Sequence, residues 1–375
     1  MHHVNDARTT RSSLLPNPIV DLNQRSLFIR PGSKPSGRQV SECATTVWAM
    51  HPHLAVRYGQ LLVCPSLGQA NSSHVSGAGT EQGHGAKTLR VEPLTPVIGA
   101  EIHDCDLNHL DDQAFNGIHA ALVEHQVVFF RDQPELTPES QISFARRFGP
   151  LHRHPAAPVL DGHPEIFVIH AHAESKVANG NGWHTDVSCD TEPPLATMLQ
   201  LHVLPPSGGD TLFSSMYAAF ETLSPSMQRF LATLTATHAS EHVYRGRYAD
   251  RGVDDRGRQY PSAVHPVVRT HPDSGRQALY VNPSFTTRIN ELARAESRAL
   301  LDYLYQHQQR AEFQVRFRWS PNAIALWDNR CTQHCALWDY WPAERRGHRV
   351  TVQGERPYFS PARFIHRDMR FANPL

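Results

Sequence analysis

Hydrophobic positions are spaced in two ways along the chain from Leu89 onward. Val127–Phe130 is an unbroken apolar run and reads as a buried strand, whereas Gln314-Val315-Arg316-Phe317-Arg318-Trp319 alternates strictly, as expected of a strand with one buried face. Further short strands are predicted at Leu89–Val91, Val97–Ile102, Ile166–His170, Ala196–Leu204, Val264–Thr270, Ala278–Val281, Ala323–Trp327 and Arg349–Val352. Phe115, Ile118, Ala121 and Leu122 recur at helical spacing and predict a helix over Asp112–Glu124. Thr137-Pro138 opens a second helix running to the Gly149-Pro150 break, since proline is tolerated at the first helical position. Two more helices are predicted at Ser226–Leu234 and Arg294–Gln309. Many short strands with Gly/Pro turns, and helices packed outside them, predict a mainly β fold over residues 88–375: a double-sheet jelly roll.

Residues 1–87 lack this patterning. They are rich in Ser, Pro, Gly and His, as in GQANSSHVSGAGTEQGHGAK at 68–87, and cannot bury enough apolar surface to offset ordering entropy. They read as a low-order extension, or as sequence upstream of the true start, in which Thr45–Val63 could form a short element.

Composition narrows the function classes. With 36 basic and 36 acidic residues the formal charge is zero, so there is no electrostatic case for nucleic acid or a membrane surface. No apolar run approaches the roughly 20 residues needed to span a bilayer. Six scattered cysteines without a Cys-x-x-Cys pair, and no signal peptide, fit a reducing cytoplasm. Cys331 and Cys335 flank His334, but no second cysteine pair completes a zinc set. A homo-oligomer stays open.

The chemistry concentrates in two segments, Trp183-His184-Thr185-Asp186 and Trp327-Asp328-Asn329-Arg330-Cys331-Thr332-Gln333-His334, the second continuing through Asp339-Tyr340 to Arg345 and Arg349. Two imidazoles and one carboxylate can hold a redox metal on one face and leave the other open, a geometry that suits non-haem Fe(II). On a strand, His-x-Asp points both side chains to the same face, so a third ligand comes from another strand. The pattern is weak by itself, because His109-Leu110-Asp111, His271-Pro272-Asp273 and His366-Arg367-Asp368 match it too.

Context decides between them. FARRFGPLHRHP (144–155), WHTDVS (183–188), PSGGDTLF (206–213), VNPSFTTRI (281–289) and WDNRCTQH…DYWPAERRGHRVT (327–351) stand in order along the chain. From about Leu89 to Pro357 the chain thereby resembles the taurine dioxygenase/2,4-dichlorophenoxyacetate dioxygenase family of Fe(II)- and 2-oxoglutarate-dependent oxygenases, most of all its taurine-dioxygenase branch. The resemblance implies the same jelly roll, with Fe(II) as metal and 2-oxoglutarate and O₂ as co-substrates. It implies His184, Asp186 and His334 as metal ligands, and Arg345 with Thr211 as partners of the 2-oxoglutarate C5 carboxylate. It matches Arg349, His154 and the Val187 N–H to the positions that hold the taurine sulfonate, and Phe285 and Tyr244 to aromatic walls. Trp183 and Trp327 read as packing residues beside the ligands.

Three positions depart from the pattern. Where the taurine enzyme has a Tyr, an Asn and a Ser near the amine, this chain has Ala157, Gly180 and Val243. A buried ammonium without acceptors is strongly disfavoured, so the anion end looks kept and the far end larger and less polar. The expected activity is hydroxylation of the carbon next to the sulfur-bearing group of a small organosulfonate or alkyl sulfate, releasing aldehyde with sulfite or sulfate, succinate and CO₂. Rival readings are a dioxygenase of a small carboxylate such as an aryloxyacetate, a His₂Asp zinc hydrolase, and a non-catalytic jelly-roll binding protein.

Overall fold

A computed structural model of the chain describes residues 89–249 and 252–361. A division of the chain into residues 1–80 and 81–375 leaves all of these in the second unit. The expected extension over 1–87, the Thr45–Val63 patch, Cys43, Cys64 and the 366–368 His-x-Asp lie outside the described residues.

Two antiparallel sheets face each other. The larger one runs in the order Arg90–Pro93, Ala100–His103, Val127–Phe130, Ile324–Asp328, Ala196–Val203, Arg345–Val352, His163–Ala171, Val159–Leu160; Leu151–His152 also pairs with Arg345–Val352. One neighbouring pair, Ala100–His103 with Val127–Phe130, is parallel. The smaller sheet is Gln314–Phe317, Thr211–Ser215, Thr332–Ala336. Val127 and Phe129 join the core between the sheets, whereas Val128 and Phe130 face the layer of helix Asp112–His125. That two-sided burial is why the strand reads as a continuous apolar run. Phe129 stacks on Phe317 of the small sheet at 4.0 Å between ring centroids and meets Phe213 edge-on at 5.6 Å. Behind the small sheet, helices Met216–Glu221 and Arg294–Gln308 cover a second core with Tyr217, Phe220, Leu301 and Leu304. The mainly β jelly roll with flanking helices is the architecture expected from the sequence. No helix among the described residues is long and apolar enough to cross a membrane.

Several elements differ from expectation. Val264–Thr270 is two strands, Ser262–Pro266 and Val268–Thr270, which pair in different sheets. Thr211–Ser215, Thr235–Ala239, Thr286–Ile289 and Thr332–Ala336 are strands the hydrophobic pattern did not single out. Each carries polar residues on buried positions, so apolar periodicity is absent. Helix Pro225–Leu231 begins one residue before its expected start and ends three early.

The Phe129–Phe317 stack joins the two sheets, so Phe129→Ala should destabilise the fold by about 3–5 kcal/mol through lost transfer energy and a cavity. Denaturant unfolding monitored by tryptophan fluorescence checks this.

Candidate active site

His184 and His334 oppose each other across a single antiparallel bridge. His184 N–H donates to the His334 carbonyl at 3.1 Å, and His334 N–H donates back at 2.8 Å. His334 belongs to strand Thr332–Ala336. The expected His-x-Asp strand is instead this bridge followed by a turn, with Val187 at φ 47. A β-branched residue at positive φ is strained and persists only where its surroundings hold it. The turn still returns Asp186 to the histidines. Its Oδ1 lies 3.8 Å from His184 Nε2 and 3.9 Å from His334 Nε2.

The ligand atoms of these three residues all lie within 4.8 Å of one another. His184 Nδ1 bonds the Gly182 carbonyl at 2.8 Å; a carbonyl only accepts, so Nδ1 carries the proton and Nε2 presents a lone pair. Burial depresses the pKa of both imidazoles and keeps them neutral. Burial alone would raise the Asp186 carboxyl, but the Arg349 guanidinium beside it, with the Thr197 hydroxyl bond, outweighs burial and holds it well below the usual carboxylate range. Arg349 Nη1 donates to Oδ1 at 2.8 Å and Thr197 Oγ1 to Oδ2 at 2.7 Å. Two neutral nitrogens and an ionised oxygen form a donor set that fits a divalent transition metal.

A second buried group, His271, Asp328 and Cys331, is equally close-knit. There the lone pairs are taken. Arg330 bonds both Asp328 oxygens, His271 Nε2 donates to Oδ2 at 3.0 Å, and His271 Nδ1 accepts from Ser274 N–H. Asp273 in turn pairs with Arg330 at 2.8 Å. The His271-Pro272-Asp273 look-alike therefore serves a structural ion network.

A cavity beside the triad is lined by His184, His334, Thr211, Trp319, Arg345 and Arg349. Arg345 and Arg349 stand four residues apart on one strand and face the same way, while Arg346 between them is exposed and pairs with Glu344 at 3.4 Å. Arg345 is 2% exposed. Its Nε–H donates to the Gly209 carbonyl at 3.2 Å and its Nη2 to Thr211 Oγ1 at 3.5 Å. Among the described residues no carboxylate pairs with it. Trp319 Nε1–H also donates to Thr211 Oγ1, at 3.0 Å. The loop that presents Gly209 depends on two glycines in the left-handed region, Gly208 at φ 76 and Gly209 at φ 73. A Cβ on Gly208 would sit 2.5 Å from Asp339 Oδ1, the atom that accepts the Gly209 N–H at 2.7 Å.

A second cavity, which shares Gly180, His184 and Arg349 with the first, brings together His154, Val187, Tyr244, Phe285 and Arg349. His154 Nδ1 accepts from the N–H groups of Ala156 and Ala157 at 3.1 and 2.8 Å, which leaves Nε2 as the donor. Burial, with Arg349 next, keeps this imidazole neutral. Val187 N–H donates to no protein acceptor among the described residues.

Residues 90–351 match the sequence profile described as taurine catabolism dioxygenase TauD, TfdA family. The chain belongs to that family. It is accordingly a 2-oxoglutarate-dependent dioxygenase, with 2-oxoglutarate and O₂ as co-substrates. It is 38% identical over 280 residues, 72% of this chain and 92% of the relative, to an alpha-ketoglutarate-dependent sulfate ester dioxygenase of Pseudomonas putida. An alpha-ketoglutarate-dependent sulfonate dioxygenase of Saccharomyces cerevisiae is 33% identical over 297 residues, covering 76% of this chain and 70% of its own. The crystal structure of a taurine dioxygenase from Burkholderia xenovorans superposes with a TM-score of 0.63 at 36% identity, over 73% of this chain and 93% of its own.

Against the family pattern, Gly180 and Val243 line the second cavity, but Ala157 does not; it packs against the core. Asn179, Asn181, Arg247 and Ser284 add polar groups to the lining of the same cavity. Trp327 packs beside His334 at 4.7 Å between rings, as expected, whereas Trp183 is partly exposed and its carbonyl accepts from Ser284. Asn329 and Thr197 were missed. Asn329 Nδ2 donates to Thr197 Oγ1 at 2.8 Å, Thr197 donates on to Asp186, and Asn329 Oδ1 accepts the Trp327 indole N–H at 3.0 Å. The Asn329 position inside Trp-Asp-Asn-Arg was visible, but nothing in the spacing connects it with Thr197.

This chain of bonds orients the Asp186 carboxylate, with Oδ1 turned toward the two histidines. Thr197→Val should therefore weaken divalent-metal binding about 10–100-fold, read by calorimetric titration of the metal-free protein with Mn(II) or Fe(II).

Proposed function

We propose that the protein binds Fe(II) through His184, Asp186 and His334 and oxidises a small organosulfonate or alkyl sulfate. The observation that carries this reading is Arg345: a fully buried guanidinium beside the triad, with a hydroxyl and a carbonyl as partners and no carboxylate. A buried cation is costly unless an anion joins it. The C5 carboxylate of 2-oxoglutarate is that anion, held bidentately by Arg345 with Thr211 alongside. In the second cavity, Arg349, the His154 Nε2–H and the free Val187 N–H together supply donors for a tetrahedral anion, and Tyr244 and Phe285 wall the carbon chain. Similarity to sulfonate and sulfate ester dioxygenases supports the same substrate class.

The metal supplies the redox chemistry with O₂; the protein binds, orients and excludes water. Hydroxylation of the carbon bearing the sulfonate or sulfate group gives an unstable adduct. It collapses to an aldehyde and sulfite, or to an aldehyde and sulfate, while 2-oxoglutarate becomes succinate and CO₂. The catalytic unit is assigned to residues 88–375, with no role for 1–87.

Anaerobic addition of Fe(II) and 2-oxoglutarate should give a visible charge-transfer band that shifts with a sulfonate or sulfate ester, and O₂ should then release sulfite or sulfate stoichiometrically with succinate. His334→Ala should abolish both the band and succinate. Release of phenol from an aryloxyacetate without turnover of any sulfur substrate would overturn the assignment.

Arg345→Ala should raise the 2-oxoglutarate KM steeply, a charge-assisted pair of bonds being worth about 1.5–3 kcal/mol. Arg346→Ala should leave that KM unchanged, as steady-state succinate assays can establish.

A further inference from the structure

The substrate cavity contains a cation that the proposed chemistry leaves unused. Arg247 lines it four residues after Val243, in the turn that follows helix Glu241–Tyr244. One nitrogen of its guanidinium, Nη2, donates to the Ala178 carbonyl at 2.8 Å, two residues from Gly180. A guanidinium carries five N–H donors, and among the described residues no carboxylate lies within ion-pair distance of this one.

Among the described residues, the acidic groups near it in the chain are already engaged. Glu241 pairs with Arg245, Asp254 with Arg256, and Asp255 accepts from Gly246 N–H and the Tyr260 hydroxyl. Asp186, on the same cavity wall, pairs with Arg349. Arg349 thus meets a substrate anion with part of its charge already offset, whereas Arg247 has no carboxylate partner among the described residues.

Its location decides the consequence. Gly180 and Val243 stand where family resemblance puts the groups around the taurine amine, and Arg247 reaches the backbone beside Gly180. That end of the cavity therefore presents a positive charge where an ammonium would have to sit. An amine is repelled there and an anion attracted. Asn179 and Asn181 line the same wall, and their side-chain amides are further donors.

We propose that Arg247 recognises a second anionic group of the substrate, a carboxylate at the end remote from sulfur. This rests on the sulfonate and sulfate-ester reading and narrows it to dianions, of which ω-sulfoalkanoates are the simplest. The planar guanidinium fork suits a carboxylate, which it can grip with two parallel bonds.

The test is calorimetric titration of the full-length holoenzyme with Fe(II) and 2-oxoglutarate under anaerobic conditions. The probes are sulfopropanoate, sulfobutanoate and sulfohexanoate with the carboxylate at the terminus, each against the unbranched alkanesulfonate of equal carbon number. At the chain length that spans the cavity the dianion should bind about tenfold more tightly than its partner. Arg247→Ala should bring that ratio close to one, Arg247→Lys should retain part of it, and Arg256→Ala should leave it unchanged. Melting temperatures and the charge-transfer band identify any variant that fails to fold. A ratio at or below one at every chain length, or one that survives in Arg247→Ala, overturns the proposal while binding and turnover of the monoanions leave the sulfonate reading standing. Absence of binding and turnover for every sulfonate and sulfate ester overturns both.

Discussion

Two backbone hydrogen bonds, exchanged between His184 and His334, fix the distance on which the site depends. The segment between strands His163–Ala171 and Ala196–Val203 has no strand of its own and would otherwise be a long loop. It is stitched to the small sheet by that bridge, by Ala336 N–H donating to the Gly180 carbonyl at 2.9 Å, and by Thr185 Oγ1 donating to the Asn329 carbonyl at 2.7 Å. Each bond fixes backbone that would have to be ordered anew on every metal-binding event if it were free. The strain at Val187 belongs to the same arrangement: the turn folds Asp186 back beneath the histidines and leaves the Val187 N–H facing the substrate cavity.

Charge placement then separates two clusters that look alike by residue type. Asp186 and Asp328 are both buried, and both are held well below the usual carboxylate range because cationic neighbours outweigh the burial penalty. Asp328 spends both oxygens on Arg330 and His271 and ties the Trp327–Arg330 segment to residues 271–273. Asp186 has fixed side-chain partners, Thr197 and Arg349, and the Nε2 atoms of two neutral histidines lie 3.8 and 3.9 Å from its Oδ1. What distinguishes a metal site from a structural ion network here is the unspent lone pair, which no sequence pattern encodes.

That distinction also marks how far the sequence could be read. Strands such as Val127–Phe130 and Gln314–Phe317 were legible because both the unbroken and the alternating pattern follow directly from which faces are covered. Thr211–Ser215 and Thr332–Ala336 were not, because Thr211 and His334 point polar groups into the site and erase the alternation. The residues brought together around the two cavities were found through ordered motifs, and burial separates Arg345 from Arg346 without ambiguity. Asn329, Thr197 and Arg247 escaped notice for a different reason. Their roles depend on hydrogen bonds between segments far apart in sequence, as between Asn329 and Thr197 or Arg247 and Ala178.

The site's three arginines differ in what each already touches, and the difference divides the work. Arg345 has neutral partners and is sealed from solvent, so it suits an anion that stays buried throughout turnover. Arg349 is paired with Asp186 of the His-Asp-His cluster and lines both cavities. Arg247 lines the second cavity, is partly accessible, and has a backbone carbonyl as its partner. With the histidines neutral and a divalent metal bound as proposed, three guanidiniums and the metal against one carboxylate would leave four positive charges. Dianionic 2-oxoglutarate and a dianionic substrate would cancel them, whereas a monoanion would leave the half-buried Arg247 guanidinium without a counter-charge in the cavity, where water screens it only in part.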